Sequence, residues 1–318
     1  MSIATILPCA SVKPNTTRGC PPGAHTAPTA PLITAGCAAR ARPEKVPATA
    51  RDPADVTRLR LRWSTGSGRH LVVVDRLFSD AGLAELYDLF CPFEARGDFA
   101  FYLPLVMSAQ AVLDVGCGTG ALLHRARQVG HTGRLCGLDP AAGMLKQARK
   151  RSDIEWVLGD LALVAWDREF DLVVMSGHAF QVLVEDDDLR VSLAAIRRAL
   201  TENGRFAFET RNPLVHEWEQ WTPDNAVEVT DATGAIVRSE HEVETPVERD
   251  IVHFTTTFTS PTWDRPQLSW STLRFLDADS LSAFLSGAGL AIEEQFGDWD
   301  RRPLTDTSPE IITIATRA

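Results

Sequence analysis

The sequence predicts an α/β protein built on a doubly wound parallel sheet, with an antiparallel β meander inserted into it. Three observations carry this prediction. Apolar strand-like segments alternate with helix-like segments between residues 111 and 209, a glycine-rich turn follows the first strand, and residues 226–275 alternate with a period of two. Alternating strands and helices imply parallel pairing, whereas a period of two is typical of strands with one buried face.

The alternating part supplies five strands and five helices. The strands are predicted at Ala111–Val115, Arg134–Leu138, Ile154–Leu158, Phe170–Met175 and Arg205–Glu209. The helices are predicted at Ala81–Phe90, Phe99–Met107, Leu122–Val129, Ala141–Lys150 and Asp186–Leu200. The last helix begins with three acids and ends with two arginines, the charges that favour its two ends.

The meander interrupts this pattern within residues 213–276, and the α/β pattern then resumes. Its segments AVEVT, AIVRSEHEVE, DIVHFTTTFT and QLSWSTLRF each alternate polar and apolar residues, and Asp231–Gly234 is a turn signal between the first two. A helix at Asp279–Ala288 and strands at Leu290–Phe296 and Glu310–Thr316 follow.

Residues 1–68 have a different composition and are predicted to be a disordered, Pro/Ala-rich segment. The first 43 residues contain no Asp or Glu, and nine of the 19 prolines fall within the first 53. Such a segment buries too little apolar surface to offset its ordering entropy. Sparse arginines and many prolines disfavour an organellar leader, and initiation near Val72 is the other interpretation. The folded domain is therefore expected at residues 69–318.

Composition excludes several classes of function. The formal net charge of −10 argues against an extended, sequence-independent grip on nucleic acid. No apolar run approaches the roughly 18 residues of a membrane helix. The six cysteines form no C-x-x-C pair and no Cys/His cluster with zinc spacing, so no metal site is predicted and a reducing cytoplasmic location is expected.

The glycine-rich turn, Gly116-Cys117-Gly118-Thr119-Gly120, is the strongest sign of a ligand. It follows a strand and opens a helix, whose free N–H groups and dipole attract an anion. The dinucleotide fingerprint G-x-G-x-x-G needs its third glycine one residue later, where this chain has Ala121, and no Gly-Lys-Ser/Thr of a P-loop follows. A plain structural turn or a ligand with a carboxylate and a ribose but no pyrophosphate, such as S-adenosylmethionine (SAM), remains.

The segment VLDVGCGTG, residues 112–120, resembles motif I of class I SAM-dependent methyltransferases. Three further pieces match that family in order: Leu138-Asp139-Pro140, Ala142–Met144 and Gly159-Asp160-Leu161. The resemblance covers about residues 80–212 well and 277–318 loosely. It implies a Rossmann-like, seven-stranded methyltransferase sheet, SAM as the cofactor, and an enzyme that moves a methyl group.

The resemblance also implies roles for individual residues. Asp139 would bind both ribose hydroxyls, Met144 would pack on the adenine, Asp160 would accept from the adenine amino group, and Asp114 would lie near the ammonium. Alternatively, Asp139 caps a helix and the other two acids stabilise turns. Tyr102 either covers the methionine part or packs its helix. The predicted cofactor-binding set is Tyr102, Asp114, Gly116, Cys117, Gly118, Gly120, Asp139, Pro140, Met144, Gly159, Asp160, Leu161 and Ser176.

The chemistry is expected at the carboxyl ends of the fourth and fifth strands, the ligand side of an open α/β sheet. Methyl transfer from a sulfonium is an in-line displacement, for which a protein mainly aligns the acceptor and removes its proton. His178 is the candidate base, with a pKa near neutrality, or else an orienting or structural histidine. Gln181, Arg211 and Trp218 are candidates for binding substrate, although Arg211 alternatively pairs with Glu209.

The segments GHAFQ and FETRNP resemble a bacterial small-molecule branch of the same class, whose antiparallel insert caps the substrate. That resemblance implies transfer to an N or O atom of a small-molecule acceptor, with residues 213–276 as the cap. The Asn/Asp-Pro-Pro-Tyr motif of many nucleic-acid and glutamine methyltransferases is absent after the fourth strand. A SAM-binding protein without transfer, and a methyltransferase acting on a macromolecule, are the alternatives.

Overall fold

The computed structural model describes residues 59–65 and 68–318, with side chains from residue 74 onward. The strands are β1 Leu59–Thr65, β2 Gly68–Val74, β3 Ala111–Val115, β4 Arg134–Asp139, β5 Glu155–Leu158, β6 Phe170–Met175, β7 Leu200–Arg211, β8 Val227–Thr230, β9 Ile236–Val243, β10 Ile251–Thr259, β11 Gln267–Arg274, β12 Leu290–Phe296 and β13 Glu310–Arg317. The α-helices are α1 Arg76–Ser79, α2 Ala81–Phe90, α3 Asp98–Ser108, α4 Ala121–Gln128, α5 Ala142–Ala148, α6 Asp186–Ala199 and α7 Ala278–Gly287.

Seven strands form the main sheet in the order β12-β13-β7-β6-β3-β4-β5. The five strands from β5 to β7 pair in parallel, whereas β13 runs antiparallel to both β7 and β12. This arrangement confirms the predicted α/β class and its seven strands, but the sheet is mixed rather than wholly parallel. β7 is also longer than predicted, beginning at Leu200 directly after α6.

Helices cover both faces of this sheet, as a doubly wound fold requires. α6 and α7 pack on one face through apolar side chains such as Leu193 and Leu285. α3 and α4 pack on the other face, where Val106 and Leu123 are buried. The strand order reverses between β3 and β6, so a crevice opens at the carboxyl ends of these two strands.

The predicted meander is confirmed as a four-stranded antiparallel sheet in the order β11-β10-β9-β8. Its inner face packs at one end against α1 and α2, where Phe258 meets Phe90 at 5.8 Å between ring centroids. At the other end Phe254 meets Trp221 at 5.0 Å. The insert is thereby joined to the main domain by apolar contacts and not only by its two chain connections.

The hairpin of β1 and β2 differs from the sequence prediction. Residues 59–65 were predicted to be disordered, yet they pair antiparallel with residues 68–74. The rest of the predicted disordered segment lies outside the described residues. The described residues do not test the alternative start near Val72.

Of the helices in the described part of the chain, none is long and apolar enough to cross a lipid bilayer.

Replacing Gly120 by alanine is expected to lower the free energy of unfolding by about 2–4 kcal/mol, because two costs add. Gly120 has φ +78°, which strains any residue with a Cβ, and that Cβ would overlap the Trp156 ring. Urea unfolding measures the loss. Gly234→Ala is the matched control, since Gly234 has φ +85° but no described atom within 4 Å of a Cβ. Equal losses in the two variants would contradict the role assigned to Trp156.

Candidate active site

The glycine turn between β3 and α4 is held against the end of β4. The amides of Gly116 and Cys117 both donate to the carbonyl of Leu138, at 2.8 and 3.2 Å. Gly116, Gly118 and Gly120 all have positive φ, at +71°, +56° and +78°. A Cβ on Gly116 would lie 2.8 Å from that of Ala179, whereas a Cβ on Gly118 would meet no described atom within 4 Å. Gly118 is therefore the point at which a ligand can approach the backbone closely.

Asp139 ends β4 and links this turn to α5. Its Oδ2 accepts from the Gly118 amide at 2.8 Å, and its Oδ1 accepts from the Ala141 amide at 2.7 Å. Burial raises the pKa of Asp139 to about 6, and the two amide donors oppose that rise. Each carboxylate oxygen has a second lone pair, so the same side chain can order the turn and accept from two ligand hydroxyls.

Asp114 lies at the carboxyl end of β3 and is almost wholly buried. Its Oδ1 has no hydrogen-bond partner in the part of the chain that the structure describes. Burial raises the pKa of Asp114 to about 7, while the Arg96 guanidinium acts in the opposite direction. A buried carboxylate oxygen without a donor is unfavourable, so this position suits a cationic ligand group.

Asp114→Asn is expected to stabilise the protein increasingly as the pH rises. A carboxyl whose folded pKa lies above its unfolded value of 3.8 favours the folded state when protonated, so that stability is lost between about pH 4 and pH 7. From about pH 4.5 to pH 8 the variant should gain about 3 kcal/mol in unfolding free energy relative to wild type. Urea unfolding at both pH values checks this, with the exposed Asp187→Asn as control. A pH-independent difference would contradict a protonation cost at Asp114.

Two other predicted cofactor residues are packed inside the protein. Cys117 packs with Leu145 and Ala148, and burial raises the pKa of its thiol well above the usual value. Met144 is buried beside Ala84 and Ala141. Cys117 is one of three free, buried cysteines in the described residues, in line with the expectation of reduced thiols.

The remaining predicted cofactor residues lie after the carboxyl ends of the central strands. Asp160 accepts from the Ala162 amide at 2.8 Å, a bond typical of a turn, and Leu161 is buried in the main core. Pro140, Gly159 and Ser176 directly follow β4, β5 and β6. The fold therefore brings all of these positions to one edge of the sheet.

Tyr102 connects α3 to the end of β7. Its side chain is fully buried, and its hydroxyl donates to Glu209 Oε2. Glu209 in turn accepts from the backbone amide of His178, at 2.7 Å to its Oε1. Burial raises the pKa of Glu209 to about 7. The hydroxyl of Tyr102 is thus bonded inside the protein, where it holds Glu209 in place and, through Glu209, the backbone of His178.

His178 follows β6 in a left-handed conformation, with φ +61°. Its Nε2 lies 3.0 and 3.1 Å from the two carboxylate oxygens of Glu310, and its Nδ1 is buried with no partner among the described side chains. Burial lowers the pKa of His178 to about 4, and the Arg211 guanidinium adds to that effect. The expected pKa near neutrality is therefore wrong, and the imidazole is neutral at pH 7.

Gln181 and Arg211 are held by other protein groups. The Gln181 amide donates to the Arg274 carbonyl at 3.0 Å, and its Oε1 accepts from Arg211 Nη1 at 2.6 Å. The ion pair of Arg211 is formed with Glu217, at 3.0 Å from Nε to Oε2. The structure thus gives Arg211 an ion pair with Glu217, a partner that the sequence analysis did not name.

Trp218 lies in the insert and packs against Phe275, at 4.7 Å between ring centroids. Its other neighbour is the His216 ring at 4.8 Å.

Sequence reasoning missed three charged residues of this crevice. Arg96 and Asp98 form a bidentate ion pair just before and within the first turn of α3, with Nε to Oδ1 at 2.9 Å. Glu310 comes from β13, more than 130 residues after His178. Neither the spacing nor the composition around these three residues indicates a site. Glu310 in particular reaches the crevice only because β13 returns as an antiparallel strand.

Comparison with known proteins matches the central part of the chain. Residues 112–204 fit the family model described as a methyltransferase domain. The 2-phytyl-1,4-naphtoquinone methyltransferase of Thermosynechococcus vestitus is 35% identical over 129 residues, covering 38% of this chain and 56% of that protein. The malonyl-[acyl-carrier protein] O-methyltransferase of Hahella chejuensis is 31% identical over 136 residues, covering 42% of this chain and 48% of that protein. The chain thus spans about half the length of these relatives.

A solved structure extends the likeness to most of the described fold. The S-adenosylmethionine-dependent methyltransferase from Clostridium acetobutylicum superimposes with a TM-score of 0.60, covering 74% of this chain and 98% of that one. The sequence identity is 17%, so this likeness bears on the fold alone.

Proposed function

The chain carries a class I SAM-dependent methyltransferase domain, and from that premise we propose that it transfers the methyl group of SAM to an N or O atom of a small-molecule acceptor. The observation that carries the proposal is the pairing of the glycine turn with Asp139. The amide of Gly118, the one of the turn's three glycines at which a Cβ would meet no described atom within 4 Å, is bonded to the carboxylate that ends the next strand.

The residues at the crevice fit SAM by their chemistry. Asp139 offers two carboxylate oxygens to ribose hydroxyls, and Asp114 offers a buried, unbonded oxygen to the ammonium group. The amides of the turn and the start of α4 suit the carboxylate. When bound, SAM supplies a methyl group already activated by its positive sulfur.

The residues that end β6 and β7 suit the acceptor side of the reaction. His178 presents a neutral imidazole at pH 7, so it is able to take a proton from an N–H or O–H group. Tyr102 and Glu209 hold its backbone in place. The insert packs beside these residues through the 3₁₀ segment Ala179–Val182, whose Gln181 bonds to the carbonyl at the end of β11. An in-line displacement needs this kind of alignment more than further activation.

The acceptor class rests on the relatives and on the charge of the chain. One relative is named for a 2-phytyl-1,4-naphtoquinone, which supports the small-molecule class. Another is named for a malonyl group on an acyl-carrier protein, which supports the macromolecular alternative. A net charge of −10 does not favour a nucleic-acid acceptor.

Titration calorimetry with SAM, followed by a S-adenosylhomocysteine release assay, tests the proposal. The acceptor panel should contain amines, phenols and carboxylic acids, together with the same carboxylic acid attached to an acyl-carrier protein. Binding of SAM and release on a free acceptor is the expected result. Binding without release on any acceptor would favour the non-transferring alternative, release on the carrier-bound acid alone would favour a macromolecular one, and absence of binding would contradict the assignment.

A further inference from the structure

We propose that Glu310 is the positioning residue of His178, so that the two side chains act as a dyad with Nδ1 as the reactive nitrogen. This inference rests on the methyl transfer proposed above. Nε2 of His178 lies 3.0 and 3.1 Å from the two oxygens of Glu310, and both side chains are 5% exposed. The backbone of His178 is held separately, by the carboxylate of Glu209.

The contact with Glu310 selects the tautomer of the imidazole. When Glu310 is ionised, its carboxylate only accepts hydrogen bonds, so Nε2 carries the proton and Nδ1 keeps its lone pair. Burial raises the pKa of Glu310, so this tautomer forms as the pH rises and that carboxyl gives up its proton. Nδ1 is buried and has no partner in the described part of the chain. The nitrogen of His178 that keeps a lone pair without a described protein partner is therefore Nδ1, and the bond at Nε2 keeps the ring from flipping.

The proton and the electrons balance on this arrangement. The acceptor loses the proton of its N–H or O–H group to Nδ1, and the freed electron pair forms the bond to the methyl carbon. The pair of the broken carbon–sulfur bond stays on the sulfur, which becomes a neutral thioether. His178 becomes an imidazolium, whose Nε2–H faces the Glu310 carboxylate.

The charged groups around the pair determine how costly this exchange is. His178 is approached by Glu310 from β13, by Glu209 and Arg211 from β7, by Asp98 from α3, and by Glu217 from the insert. Burial disfavours charge on both members of the dyad: the pKa of His178 is lowered and that of Glu310 is raised. A lone imidazolium here would be costly, whereas one formed beside the ionised Glu310 carboxylate is paired as soon as it appears.

The topology explains why this glutamate is available. β7 runs towards the crevice and β13 runs away from it, so Glu310 at the start of β13 lies opposite Arg211 near the end of β7. A carboxylate at the first position of an antiparallel last strand therefore reaches the same edge as the carboxyl ends of the parallel strands.

Glu310→Gln is expected to lower kcat by about 100-fold, with KM within about threefold, because Glu310 acts through His178 and does not touch the acceptor. In a His178→Ala background the same change should cost nothing further, since the two residues act as one unit. The exposed Glu202→Gln is the matched control. Additive losses in the double variant, or an unchanged kcat, would overturn the dyad.

A second measurement does not depend on turnover. Two-bond ¹H–¹⁵N spectra of histidine-labelled protein are expected to show His178 protonated at Nε2 and unprotonated at Nδ1, and Glu310→Gln should change this signature alone among the histidines. An Nδ1–H tautomer in the wild type would overturn the dyad even in an active enzyme. The expected tautomer in a protein that releases no S-adenosylhomocysteine would retain the His178–Glu310 pair and overturn the proposed function.

Discussion

The variant His178→Ala is expected to lose about 10²–10⁴-fold in kcat, the usual contribution of a positioned acid–base group. His178 is the one histidine at the carboxyl end of β6, and it meets the crevice as a neutral imidazole between Glu209 and Glu310. The affinity for SAM should stay within about threefold, because the imidazole is assigned to the acceptor and not to the cofactor. Initial rates at saturating acceptor, together with titration calorimetry for SAM, measure the two quantities.

His253→Ala is the matched control for this experiment. His253 lies on the exposed side of β10, where its ring bonds the Thr272 hydroxyl at 2.9 Å. It should leave kcat unchanged. A His178 variant with full kcat would remove the histidine from the chemistry, whereas a parallel loss of SAM affinity would point to a role in building the cofactor site.

The variant Asp139→Ala is expected to raise the dissociation constant of SAM by about 100-fold. Two charge-assisted hydrogen bonds to ribose hydroxyls are each worth about 1.5–3 kcal/mol, and a tenfold change in affinity corresponds to about 1.4 kcal/mol. Because burial raises the pKa of Asp139 to about 6, affinity should also fall as the pH drops below about 6 and the carboxylate takes up a proton. Calorimetry at two pH values measures both effects.

Asp139 also orders the protein, so the control must remove the same kind of structural bond elsewhere. Asp171→Ala is that control, because Asp171 Oδ2 accepts from the backbone amides of Gln110 and Ala111, at 3.2 and 3.0 Å. It lies near the amino end of β6, at the opposite edge of the sheet from the crevice. Asp171→Ala should lower stability but not SAM affinity. A similar loss of affinity in both variants would show that Asp139 acts through folding alone.

Local signals were sufficient for the central α/β unit. Four elements have the predicted bounds, and most others differ by one or two residues at an end: Ala81–Phe90, Ala111–Val115, Phe170–Met175 and Leu290–Phe296. These segments have a strong hydrophobic periodicity and clear end signals, and the residues that the periodicity predicts to be buried are the ones that pack in the core. The glycine turn and Asp139 were likewise predicted as site residues from the residues around them. The turn is a local pattern, and Asp139 directly ends a predicted strand.

The errors have a common physical cause. The pKa of His178 was misjudged because burial and the nearby Arg211 are properties of the folded crevice. Glu217 was not named as a partner of Arg211, because the contact depends on how the chain turns after β7.

The sequence by itself determined the class of the protein, since the glycine turn, the acid after the second strand and the alternation of strands with helices are local patterns with one consistent interpretation. Only the tertiary structure decided how the crevice is charged. β13 returns antiparallel, so Glu310 meets His178 across a long stretch of chain. The turn after β7 places Glu217 beside Arg211. No local sequence pattern predicts these contacts, because the burial and the charge of a side chain in the crevice depend on all the strands that end there.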